Sequence, residues 1–122
     1  MDRKTKAAWI KALRSGEYRQ GQGVLQRRSK KGPSYCCLGV LATVKGCTWR
    51  KTTDIMSEGY VPYFSEEVVG GYDQESTFLR PKFAGLSSAT QVTLSNLNDD
   101  ESYSFEQIAD WIEKKVRVTR RT

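Results

Sequence analysis

The sequence predicts a small single α+β domain over residues 1–122. It is mainly helical, with about four helices around a buried central helix and a short β-hairpin or small sheet. Three observations carry that prediction. Residues 35–44, Tyr-Cys-Cys-Leu-Gly-Val-Leu-Ala-Thr-Val, are the most apolar run in the chain, and eight of the ten prefer burial. Ser104-Phe105-Glu106-Gln107 is a capping box, and Phe105, Ile108, Ala109, Ile112 and Val116 then recur at the spacing of one buried helical face. Between these two segments, short β-prone stretches are broken by glycine and proline.

From the N-terminus, the first helix is predicted over residues 3–14. Trp9, Ile10, Ala12 and Leu13 form its apolar stripe, its other face is cationic, and Ser15-Gly16 stops it. Trp9 shares a side with Leu13 and reads as a core anchor. Tyr18-Arg19-Gln20-Gly21-Gln22-Gly23 has two glycines one residue apart but neither follows a clear strand nor opens a helix, so it is no dinucleotide fingerprint. It reads either as a turn into a short strand at 23–26 or as an amide-rich loop around an anion. Arg27, Arg28, Lys30 and Lys31 then crowd four cations into five residues before a Gly32-Pro33 turn, which makes a cationic loop tip.

The central run is too short to span a bilayer, which needs about 20 residues. Ser34 as N-cap, helical spacing of Leu38, Leu41 and Ala42, and Lys45-Gly46 at the end predict a buried helix. Gly39 inside it costs about 1 kcal/mol relative to alanine, which implies close approach of another backbone or a ligand. A strand follows at 47–53, a turn at 54–59, and an aromatic segment at 60–64 whose proline marks an edge strand or extended loop. Residues 65–69 read as a short helix stopped by Gly70-Gly71, and residues 72–87 as loop. A helix over 88–97 directs Val92 and Leu94 or Leu97 inward and stops at Asn98-Asp99-Asp100. The capping-box helix closes the domain, with a flexible basic tail at 117–122.

Composition narrows the chemistry. The chain has no histidine, which removes Ser-His-Asp and Cys-His nucleophiles and most catalytic zinc sites. Its three cysteines, two of them adjacent, make a poor disulfide framework and fit a reducing, cytoplasmic setting. No signal peptide is expected, because the cationic first helix lacks an apolar h-region behind it. Cys36-Cys37 has no histidine to act as base and lies in apolar surroundings, so both read as buried structural cysteines. Asp99, Asp100 and Glu101 lack calcium-loop spacing and read as turn chemistry. No catalytic residue, metal ligand or cofactor is assigned.

Charge falls in blocks. Residues 1–51 hold 13 Lys/Arg against two acids, residues 52–113 hold two Lys/Arg against 12 acids, and five more cations lie beyond residue 113. The plain reading is a set of solvated faces that partly neutralise one another; the functional reading is a basic surface for nucleic acid, nucleotide or phosphate.

Three blocks also resemble a group of small, mostly uncharacterised bacteriophage proteins. They are Trp9-Ile10-Lys11-Ala12-Leu13-Arg14-Ser15-Gly16-Glu17-Tyr18-Arg19-Gln20, then Tyr35-Cys36-Cys37-Leu38-Gly39-Val40-Leu41, then Leu97-Asn98-Asp99 with Ser104-Phe105-Glu106-Gln107-Ile108-Ala109-Asp110-Trp111-Ile112-Glu113. The resemblance covers both ends of the chain and is weak over residues 48–87. It implies viral origin and expression in a bacterial cytoplasm, and it brings no settled activity.

The expectation is therefore a phage accessory protein that binds rather than catalyses. It would capture a phosphate-bearing ligand, such as a nucleotide of bacterial antiviral signalling, and so counter host defence. Arg14, Arg27, Arg28 and Lys31 would contact phosphates, Tyr18 would stack, and Gln20 and Asn98 would read base edges. The alternatives are nucleic-acid binding through the basic N-terminal half, or docking on a host protein. The opposed charge blocks also allow a homo-oligomer, and no membrane partner is expected.

Overall fold

The structure, a computed structural model, describes residues 1–51, 59–64, 67–68, 70–71 and 75–118. Among these residues it is the small α+β domain expected, with four α-helices, a small five-stranded antiparallel sheet and a separate two-stranded one. In chain order the elements are α1 (Arg3–Arg14), β1 (Gln26–Ser29), β2 (Gly32–Tyr35), α2 (Cys37–Val44), β3 (Thr48–Lys51), β4 (Tyr60–Phe64), β5 (Glu67–Val68), β6 (Gly70–Gly71), β7 (Glu75–Leu79), α3 (Ser88–Asp99) and α4 (Phe105–Lys115). No helix among them is long and apolar enough to cross a membrane.

Helix α2 is the hub. Cys37, Leu38, Gly39, Val40, Leu41 and Ala42 are all buried, with α1 and α3 packed against it. Trp9 of α1 is fully buried and donates its indole N–H to the Cys37 carbonyl over 2.9 Å, so the core anchor also pins α1 to the start of α2. The Cys37 thiol donates to the Leu94 carbonyl of α3 over 3.7 Å. Gly39 meets the close approach that its position implies: a Cβ there would overlap the Leu25 carbonyl. Helix α4 buries Phe105, Ile108, Ala109 and Ile112, and its capping box is formed in both directions.

Several boundaries differ from the sequence reading. Ser34 lies in β2, and the N-cap of α2 is Cys36, because Tyr35 pairs with Gln26 of β1 and keeps the backbone extended for two further residues. The strand expected at 23–26 lies instead at Gln26–Ser29, so Arg27 and Arg28 are strand residues and only Lys30 and Lys31 form the tip. The Pro62 strand is not an edge: β4 pairs with β3 from Tyr60 to Tyr63, and on its other side with β1 at Tyr60 and β5 at Tyr63–Phe64. Proline is accommodated where Val61 and Pro62 have no partner on the β1/β5 side among the described residues.

Glu67 and Val68, expected in a short helix, are strand residues, and the expected loop after residue 72 contains β7 and a 3₁₀ turn at Phe83–Gly85. Residues 65, 66 and 69 of that helix, 52–58 of the expected strand and turn, 72–74 of the loop and 119–122 of the tail lie outside the described residues. In α3 Leu94 is buried as expected, but its buried companions are Gln91 and Asn98 rather than Val92, which is 47% exposed. Gln91 accepts from the Leu79 amide and donates to the Arg80 carbonyl, and so satisfies the end of β7, a demand that an apolar side chain cannot meet.

Candidate anion-binding surface

The hairpin of β1 and β2 turns through Lys30 and Lys31, with Ser29 opposite Gly32 and the Ser29 hydroxyl accepting from the Lys31 amide. Gly32 takes a left-handed φ of 105°, which a side chain would disfavour. Both lysines of the tip are exposed. Arg19 runs alongside and donates to the Gly32 carbonyl over 2.8 Å.

Sheet register brings further cations beside this tip. Tyr60 of β4 pairs with Gln26 of β1 on one side and Lys51 of β3 on the other. The Arg28 guanidinium lies 4.5 Å from the centre of the Tyr60 ring, and the Lys51 ammonium 5.3 Å from the same ring. Arg28 is further held by donating its Nε–H to Gln26 Oε1 over 3.1 Å. Such contacts are worth about 0.5–1 kcal/mol at exposed sites and orient a cation without neutralising it. Arg50 sits likewise over Tyr63, 4.3 Å from its centre, but, one residue from Lys51 and three from Tyr60, this pair belongs to the other face of the sheet. A sheet face carrying fixed cations around the Tyr60 ring can meet phosphate oxygens and an aromatic base together.

The predicted site residues do not all gather there. Arg27 and Arg28 lie on β1 and Lys31 at the adjoining tip. Arg14 does not join them: it bonds Asp110 at 2.6 Å and Glu113 at 3.3 Å, two acids one turn apart on α4. Lys6 beside it donates to the Glu113 and Val116 carbonyls at the end of α4. The basic first half thus divides between the α1–α4 seam and the hairpin sheet. The seam opens into a groove of about 400 Å³ where Arg3, Lys6, Lys11 and Arg14 surround Ala7 and Ile10.

Asn98 is corrected outright as a base-reading residue. It is fully buried, its Oδ1 accepts from Gln20, and its Nδ2 donates to the Gly21 carbonyl and to Asp99 Oδ1. Gln20 spends both amide protons on Asn98 and the Tyr103 carbonyl. Together they clamp the Gly-x-Gly loop onto the end of α3. Tyr18 is half-buried with its ring edge-on to Tyr35, centres 5.3 Å apart, and burial raises its hydroxyl pKa. Tyr35 in turn meets Trp49, so these rings form a packed row rather than a free platform.

Lys51 and Tyr60 are the functional candidates that sequence reasoning missed. Each sits in a segment read as β-prone or aromatic, but their meeting with Arg28 depends on strand register. Cys36 and Cys37 are buried as expected; burial pushes the Cys36 thiol up to about 12, against the lowering effect of the Gly39 and Leu38 amides, and raises Cys37 as well. Among the described residues no group of acids and cysteines is placed to hold a metal ion.

Fold and surface together define a small α+β domain with a cation- and tyrosine-bearing antiparallel sheet. Residues 1–116 match the family described as Domain of unknown function (DUF8296). The chain belongs to that family. No curated protein and no solved structure matches it.

Proposed function

We propose that this protein binds a phosphate-bearing partner through the β1–β4–β3 surface, and that a single strand of nucleic acid is the form that fits best. The observation that carries this reading is the convergence of Arg28 and Lys51 on the Tyr60 ring beside the exposed Lys30–Lys31 tip. Open surfaces of this composition track a phosphate backbone and stack bases with little sequence preference. Capture of one small nucleotide is less favoured, because Asn98, assigned to base reading, is consumed by the fold and Arg14 faces α4. In the setting implied by the resemblance to bacteriophage proteins, the partner is nucleic acid, or a nucleotide of the host's antiviral response, in a bacterial cytoplasm.

The test is fluorescence anisotropy of a labelled single-stranded oligonucleotide titrated with protein at several salt concentrations. Affinity that falls log-linearly with salt supports the reading. Absence of binding at low salt, or binding indifferent to salt, overturns it.

A further inference from the structure

A second cleft, of about 490 Å³, lies between the Gly-x-Gly loop and the turn from α3 to α4, and no charged side chain lines it. We propose that it is a subsite for a nucleobase, presented by a strand on the neighbouring hairpin or by a free nucleotide; this rests on the binding reading above. The fold leaves hydrogen-bonding groups over on both walls of this cleft. Gln20 has spent its amide protons on Asn98 and Tyr103, and Gln22 has donated to the Asn98 carbonyl over 3.2 Å. Each keeps a carbonyl oxygen as an acceptor.

On the opposite wall, Gln107 accepts from the Ser104 amide through Oε1 and keeps its NH₂ as a donor. Ser104 accepts from the Gln107 amide and keeps its hydroxyl proton. Ser102, held at a left-handed φ of 54°, adds an exposed hydroxyl, and Tyr103 adds a half-buried ring. Neutral donors and acceptors side by side, next to an aromatic ring, match the edge and face of a base. A phosphate would face two carbonyl oxygens with no cation in the lining.

The cleft is joined to the cationic sheet through the backbone. The Gly21 amide donates to the Tyr35 carbonyl over 2.7 Å, and Tyr35 lies opposite Gln26, two residues from Arg28. The Gln20–Gln22 wall is thus bonded directly to the hairpin strand that pairs with β1.

The experiment uses NMR titration of the full chain with four uncharged nucleosides, and in parallel anisotropy with four homopolymeric oligonucleotides. Two variants separate the sites: Gln22→Ala with Ser102→Gly, a pair that removes a leftover acceptor and a hydroxyl together with the Gln22 bond to the Asn98 carbonyl, so its fold is checked first by amide NMR, and Arg28→Ala with Lys51→Ala. The expected result is saturable nucleoside shifts at residues 20–22 and 102–107. These weaken about tenfold in the cleft variant and are unchanged in the sheet variant. Oligonucleotides that bind while no nucleoside moves those signals would overturn the base subsite and leave the surface reading standing. Nucleosides that bind the cleft while no oligonucleotide binds would do the reverse. An adequately folded cleft variant that keeps wild-type nucleoside affinity also overturns the subsite.

Discussion

The side-chain nitrogen of Gln20 lies 2.9 Å from Oδ1 of Asn98, joining two residues 78 positions apart. That bond explains why the Gly-x-Gly loop has one fixed path, with Gln22 and Gly23 adding bonds to the Asn98 carbonyl and to Asp99. Asn98→Ala leaves the Gln20 amide and the Gly21 carbonyl short of partners in a buried setting. It should destabilise the fold by about 2–4 kcal/mol, read as a lower denaturant midpoint. An unchanged midpoint would mean that the loop is not held by this clamp.

Gly39→Ala sets two effects against each other. Helix propensity alone would favour alanine by about 1 kcal/mol. The new Cβ would overlap the Leu25 carbonyl, and the chain before β1 must move to admit it. Overpacking should win, with a net loss of about 1–3 kcal/mol in thermal or chemical unfolding. A stabilised variant would show that Leu25 yields freely.

The buried thiols predict the alkaline limit of stability. In the unfolded chain a cysteine ionises near 9.0, whereas in the fold burial holds the Cys36 thiol protonated up to about 12. The folded state therefore binds more protons across that window, so stability is fully present below about pH 9 and is lost as pH rises toward about 12. Denaturant midpoints near neutral pH and at about pH 10.5 should differ in that direction, and Cys36→Ala should reduce the difference. Alkylation of the native protein at neutral pH should be slow at Cys36 and Cys37, and rapid modification would contradict their burial.

The two groups of cations should behave differently toward nucleic acid. Arg28→Ala with Lys51→Ala removes two cations from the sheet surface and should reduce the salt slope of single-strand binding by about 1.4. Arg14→Ala, whose guanidinium is paired with Asp110 and Glu113, should leave both slope and affinity within about twofold of wild type. Equal losses in the two variants would place the contact on the α1–α4 seam as well.

Much of the helical framework was legible because its signals are local. The Ser104–Gln107 box, the spacing from Phe105 to Val116 and the apolar stripe of α1 each lie within a few residues, and the structure places all of them as expected. Gly39 was legible for a different reason: a helix interior tolerates glycine where something must come close. The sheet was less so. Its strands are two to five residues long, Gln26 is buried where an apolar residue would be expected, and Pro62 stands between two paired neighbours. Glu67 and Val68 carry helix-like acids and hydrophobes, but pairing with Phe64 and Tyr63 overrides that local preference.

The candidate surface was half legible for the same reason. Arg27, Arg28 and Lys31 stand out as a charge run, whereas Lys51 and Tyr60 join Arg28 only through the register of β1, β4 and β3. Gln20 and Asn98 were expected to read base edges, but in the fold they bond each other. Two amides that could face a ligand can equally satisfy one another, and the intervening sequence does not distinguish these outcomes.

Backbone amide NMR during titration with a single-stranded oligonucleotide tests the location of the contact most directly. The account predicts that the largest shifts fall on Gln26–Ser29, Lys30, Lys31, Thr48–Lys51 and Tyr60, and fade as salt is raised. Shifts confined to the outer face of α1, with the hairpin and β3 unmoved, would contradict it.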